Sequence, residues 1–127
     1  MTDPTPLVGV VVVNYDGGDL TVRCVDSVLA LDWPADRLRV VLVDNASSDG
    51  VAEKLEGRDP RLTVLRSELN LGFAGGCNAG IRADRPRHDG RTGAKDHRCL
   101  VIGCEQQARF AGTCRPRDRH AHQRRAR

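Results

Sequence analysis

An α/β fold built on a parallel sheet is what this sequence predicts, from three observations. Two continuous β-branched runs, "LVGVVVV" (7–13) and "LRVVLV" (38–43), read as strands buried on both faces. Segments of helical period lie between the strand-like runs. Each run stops in turn-forming residues: "NYDGG", "DNASSDG" and "ELNLGF".

The elements follow in order. After the first strand, "DLTVRCVDSVLAL" (19–31) turns helical, with Leu20, Cys24, Val28 and Leu31 on one face and Asp19 as its cap. "DWPADR" is a loop. The second strand is followed by a short helix over roughly 49–57, with Ser47 or Ser48 as cap and Gly57 near its end. "RLTVLRS" (61–67) is a third strand, and "AGGCNAGIR" starts a third helix. The order βαβαβα calls for right-handed crossovers and amounts to one Rossmann-like half.

The two parts of the 127-residue chain differ in physics. Residues 1–82 carry eight Lys/Arg against twelve Asp/Glu; residues 83–127 carry twelve against five and hold all four histidines. The first part has enough Val, Leu and Ala to bury a core. The second has one short apolar run, "CLVIG" (99–103), and an isolated Phe110, too little to offset the entropy of ordering it. The expected division is therefore a folded domain over 1–82 and a basic, disordered low-complexity tail over 83–127. "MTDPTPL" lacks the basic start of an export signal, and "LVGVVVV" is too short to span a membrane. A cytoplasmic location is expected, and five cysteines, an odd number, argue against a complete disulfide framework.

In open parallel sheets, ligands sit beyond the carboxyl ends of the strands. Strand one ends in Asn14-Tyr15-Asp16-Gly17-Gly18, and strand two in Asp44-Asn45. Asn70, Gly72 and Gly75 follow strand three. A carboxylate at that edge accepts hydrogen bonds from a base or ribose, Tyr15 offers a ring face, and glycines admit a diphosphate close to the backbone. Each also has a plain structural reading. Asp44 and Asn45 make a turn, with Asp49 supporting the helix start, Tyr15 packs, Asn70 fixes its loop through its amide, and the glycines of 72–80 let a helix pack closely. The first turn lacks G-x-G-x-x-G, and "GFAGGCNAG" lacks G-K-[ST], which argues against a dinucleotide or a Walker site.

Taken together, "VVVVNYDGGDLTVRCVDSVLALDWP", "VVLVDNASSDG" and "NLGFAGGCNAGI" resemble the amino-terminal part of a family-two inverting glycosyltransferase, in its rhamnosyltransferase-like branch. The resemblance covers residues 7–82. It implies an α/β, Rossmann-like parallel sheet of the nucleotide-diphospho-sugar transferase (GT-A) type, here truncated. It implies that Asn14 and Tyr15 line a nucleotide pocket, that Asp44 binds the base or ribose, and that Asn70, Gly72 and Gly75 border the nucleotide and sugar. The implied ligand is a UDP-, dTDP- or GDP-linked sugar. Full-length relatives would pass that sugar, with inversion, to a glycan or lipid-linked acceptor in cell-wall or polysaccharide biosynthesis, at the inner face of the membrane.

Such enzymes also use a fourth strand ending in an aspartate pair or D-x-D, which holds Mg²⁺ or Mn²⁺ against the diphosphate, and a later carboxylate base. Neither is recognisable after Arg82. The tail's acids are Asp84, Asp89, Asp96, Glu105 and Asp118, and Glu105, after "CLVIG", is the nearest positional stand-in. The expectation is an incomplete, inactive fragment with no catalytic residue and no metal site of its own; the alternative is a non-catalytic nucleotide-binding or interaction fragment with a basic tail. The break reads as a change of reading frame near residue 83, its rival being a natural basic tail. Loss of the fourth strand would leave "LVGVVVV" as an exposed edge prone to self-association. His97, Cys99, Cys104, Cys114, His120 and His122 lack zinc-finger spacing. The Arg-rich end comes with no recognition module, so no specific nucleic-acid partner is expected.

Overall fold

The computed structural model describes residues 5–84 and 98–105. Four strands form one parallel sheet: β1 (Val8–Tyr15), β2 (Leu38–Asn45), β3 (Leu62–Ser67) and β4 (Arg98–Glu105). The order across the sheet is β3-β2-β1-β4. Three helices connect them: α1 (Asp19–Leu29), α2 (Val51–Leu55) and α3 (Gly72–Asp84), with a single 3₁₀ turn at Ala35–Arg37.

The β-branched runs behave as a two-faced strand requires. Val10, Val12, Val40 and Leu42 turn to one side, where Val25 and Val28 of α1 and Val51 and Leu55 of α2 cover them. Val11, Val13, Val41 and Val43 turn to the other, against Cys77 of α3 and Val101 of β4. Side chains alternate across a strand, so an unbroken valine run fills both layers at once.

α3 lies close to the sheet because small residues face it. A Cβ on Gly80 would stand 2.2 Å from Cγ1 of Val11 and 3.0 Å from Cγ2 of Val43. The reading of these glycines as packing residues therefore holds at Gly80. α3 also runs two residues beyond Arg82, and its last residue, Asp84, is 2 % exposed and packed against Gly9 of β1.

Three expectations are corrected. The apolar face of α1 is built on Thr21, Val25 and Val28, whereas Leu20 and Leu31 are exposed. Thr21 turns inward because its hydroxyl donates to Asn14 Oδ1 at 2.6 Å, a partner that sequence periodicity does not reveal. The short helix is capped by neither Ser47 nor Ser48. It starts after Gly50, and Asp49 Oδ1 accepts from the Val51 N–H.

The third correction concerns the tail. "CLVIG" does not belong to a wholly disordered segment, since Arg98–Glu105 runs parallel to β1 in full register, from Val8↔Arg98 to Tyr15↔Glu105. β1 is thus an interior strand and is not the exposed edge from which self-association was expected. The physical reason is cooperative: a five-residue apolar run cannot form a core alone, but it pairs readily with an existing strand edge. Within β4, Cys99 packs on the α3 side and Cys104 on the α1 side, so these two cysteines do not converge on one zinc ion. His97, Phe110, Cys114, His120, His122 and the Arg-rich end lie outside the described residues. Among the described residues, no helix is long and apolar enough to cross a membrane.

Candidate functional site

The carboxyl ends of β1 and β2 meet in register, with Asn14 opposite Asp44. Asn14 is fully buried and organises what surrounds it. Its Nδ2 donates toward Asp44 Oδ1 (3.3 Å), Ser47 Oγ (3.1 Å) and Asp49 Oδ2 (3.2 Å), three acceptors for two protons. Its Oδ1 accepts from the Gly17 N–H (3.1 Å) and the Thr21 hydroxyl (2.6 Å).

Further bonds tie the loop after β1 to the loop after β2. The Asp16 N–H donates to Ser47 Oγ at 3.0 Å, and the Gly18 N–H to Asp49 Oδ2 at 3.0 Å. Asp16 Oδ1 accepts from the Ser48 N–H at 2.8 Å. Both loops turn through a left-handed non-glycine residue, Asp16 at φ 50° and Ala46 at φ 61°. Burial opposes ionisation of Asp49, but hydrogen bonds from the Gly18 and Val51 N–H groups and the Asn14 amide outweigh it. The carboxyl is held below the ordinary carboxylate value.

The third wall is the start of α3. Asn70 Oδ1 accepts from the Gly72 N–H at 2.9 Å, so Asn70 does fix its loop through its amide. Gly72 adopts φ 71°, which a side chain would disfavour. Its carbonyl accepts from Nδ2 of Asn45, the fully buried residue that ends β2, at 3.0 Å. Asn45 Oδ1 has no hydrogen-bond partner among the described residues. Gly75 stands where a Cβ would meet Leu71 Cβ at 2.7 Å.

The predicted residues therefore occupy distinct positions. Tyr15, 37 % exposed, stands at the open edge, and Asp44, 8 % exposed, lies just beneath it. Asn14 is interior, with its amide engaged by protein groups. Asn70, Gly72 and Gly75 form the rim at the start of α3. Sequence reasoning gave no site role to Asp16, Thr21, Ser47 or Asp49, which hold the two loops together. Their signal was the density of short hydroxyl and carboxyl side chains in "NYDGGDLT" and "DNASSDG". β4 brings Glu105 to the same edge, opposite Tyr15 in register.

Chemically, this edge offers the Asp44 carboxylate, one aromatic face and a helix start with a close backbone approach. Asp16 and Asp49 are engaged in loop-to-loop bonds, and among the described residues no three His, Cys, Asp or Glu side chains gather into a cation site.

The four-stranded parallel sheet, with its connecting helices and the polar loops gathered at its carboxyl edge, is an α/β fold that matches the GT-A-like glycosyltransferase class. A sequence model, "Glycosyl transferase family 2", matches residues 9–85, and the chain belongs to that family. It is 36 % identical over 86 residues to the succinoglycan biosynthesis protein ExoO of Rhizobium meliloti (strain 1021), covering 67 % of this chain and 24 % of that protein. Among solved structures, it is similar to the mannosyltransferase PcManGT from Pyrobaculum calidifontis, in complex with GDP-Man and Mn²⁺. The TM-score is 0.64 at 25 % identity, over 79 % of this chain and 28 % of that one. The chain spans about a quarter of the length of these relatives.

Proposed function

We propose that this chain carries the donor-binding half of a nucleotide-sugar transferase and, as it stands, binds a nucleoside diphosphate without transferring sugar. The observation that carries the reading is the placing of Tyr15, Asp44 and the start of α3 at one sheet edge, the first two by the Asn14 network and the third by the Asn45–Gly72 bond. Asp44 accepts hydrogen bonds from the base or ribose, Tyr15 covers the ring, and the backbone around Gly72 approaches the diphosphate. Asn14 contributes by fixing the loops. Similarity to a mannosyltransferase solved with GDP-Man supports a nucleotide-linked sugar as ligand, from the UDP, dTDP or GDP series.

Binding alone does not lower the barrier to transfer. The acceptor hydroxyl must lose a proton, and general-base help is worth about 10²–10⁴-fold. No residue of the described edge is assigned that role, and full-length relatives are proposed to supply the metal ligands and base beyond the part this chain shares with them. Titration calorimetry with GDP, UDP and dTDP tests the reading. Weak binding of at least one is expected, reduced several-fold by Asp44→Ala, since a charged hydrogen bond contributes roughly 1.5–3 kcal/mol. Equal affinity in wild type and variant removes Asp44 from the site. Metal-dependent sugar transfer lost in Glu105→Ala would overturn the inactive reading and make β4 part of an active centre.

A further inference from the structure

Two buried asparagines hold different parts of the candidate site. Asp44 and Asn45 are neighbours on β2, so their side chains point to opposite faces of the sheet. Asp44 lies on the α1 side, where Asn14 Nδ2 donates to it. Asn45 lies on the α3 side, where its Nδ2 donates to the Gly72 carbonyl at 3.0 Å. Gly72 is thereby held twice, since Asn70 Oδ1 accepts from its N–H at 2.9 Å. α3 comes so near that a Cβ on Gly76 would stand 2.8 Å from Val13 Cγ1 and 3.0 Å from Asn45 Nδ2.

Stability does not account for the Asn45 amide. Asn45 is fully buried, and its Oδ1 has no hydrogen-bond partner among the described residues. A buried acceptor without a donor destabilises a fold, whereas an aliphatic side chain beside Val13 would leave no polar atom unpaired. What the amide supplies, and an aliphatic side chain cannot, is the donor that pins Gly72. That bond holds the φ 71° turn with which α3 begins. It therefore sets the direction of the first-turn N–H groups, which a helix leaves without intrahelical partners. The first turn of α3 carries no acidic side chain, so no carboxylate of that turn repels an anion.

We propose that Asn45 is the positioning residue for the diphosphate part of the ligand and has no part in holding the base or ribose. The inference rests on the donor-binding reading above and deepens it. Asn45 keeps the Gly72 turn in the conformation in which the α3 start receives the phosphate groups, while base and ribose depend on Tyr15 and Asp44. Recognition is thus divided into two separable parts, and a nucleoside diphosphate gains affinity over its nucleoside only while the Asn45 amide pins the turn. An amide with one unpaired oxygen is retained at this position for what its nitrogen does to the ligand site.

NMR titration of the full chain tests this, with GDP against guanosine, UDP against uridine and dTDP against thymidine. In the wild type, at least one diphosphate should bind more tightly than its nucleoside. In Asn45→Val the affinity for that diphosphate should fall roughly three- to tenfold, as expected for one hydrogen bond, with the nucleoside affinity unchanged. Asp44→Ala, by contrast, should weaken both. Equal loss of nucleoside and diphosphate in Asn45→Val would show that the residue only supports the fold, and loss of neither would show that it positions nothing; each overturns the proposal, as does a wild type that binds diphosphate no better than nucleoside. If Asn45→Val does not fold, the wild type decides. The Asn45 side-chain amide and Gly72 N–H signals should then shift with diphosphate and not with nucleoside, and equal shifts with both overturn the proposal. Diphosphate binding without these selective effects defeats this proposal alone, whereas no binding of any of the three diphosphates defeats the donor-binding reading and this proposal with it.

Discussion

Asn14 shows how one buried amide can replace a cluster of capping bonds. An amide presents donors and an acceptor together, and here the donors face Asp44, Ser47 and Asp49 while the acceptor faces Gly17 and Thr21. Asn14→Asp keeps the shape but puts a third carboxyl against two others. It should lower stability at neutral pH by roughly 2–4 kcal/mol, because buried acceptors lose their donor, and the loss should shrink as acid protonates the cluster. Urea melts at pH 7 and pH 4 check this. Asp49 gives a second expectation. Its folded-state carboxyl lies below the ordinary 3.8, so the stability it adds is fully present above about pH 3.8 and is lost as pH falls through its lower folded value. Carbon-detected NMR titration should show that lowered midpoint, rising toward 3.8 in Asn14→Ala. The positions of Asn14, Tyr15 and Asp44 were legible because strand ends are. The partners of Asn14 were not, since a hydrogen-bond network depends on which way side chains turn across 30 residues of sequence.

At the scale of elements, the strands were easier to read than the helices. Valine runs fix a strand whichever face is considered, whereas a helix of mixed character can rotate by a residue when one polar group finds a buried partner. Thr21 did this to α1, displacing Leu20 to the surface. α3 shows the opposite case, where an unpromising run of small residues makes the closest contact with the sheet. Gly80→Ala improves helix propensity by about 1 kcal/mol but forces a methyl into the Val11 and Val43 side chains. Overpacking costs about 1–3 kcal/mol, and Val11 is fully buried with no room to retreat. The net outcome expected is a lower melting temperature, measured by circular dichroism. "CLVIG" stood out in the sequence as the one strand-like run of the tail, yet the average composition of 83–127 argued against its folding; strand formation needs only a short apolar run and an edge to receive it.

For the whole molecule, the decisive fact is the interior position of β1, flanked by β2 and β4. Sequence alternation was sufficient for the parallel sheet and its crossovers, but not for the neighbour of β1 across a break in composition. Val101, 7 % exposed on the α3 face, is a test of that neighbour. Val101→Lys buries an unpaired charge, should cost about 3 kcal/mol or more, and should free the β1 edge. Light scattering should then show more association than in the parent chain. Scattering unchanged from the parent would mean that β4 is not what keeps β1 covered. The same arrangement has a consequence in time. β1 meets β2 across about 30 residues of chain but meets β4 across about 90, and pairings of long sequence separation close late. During synthesis the three-stranded part can collapse while the remote segment has yet to emerge, so a valine-rich edge stays open for that interval. This protein then has a vulnerability of its birth: slower synthesis once β3 has emerged lengthens the period in which neighbouring nascent chains can pair through β1.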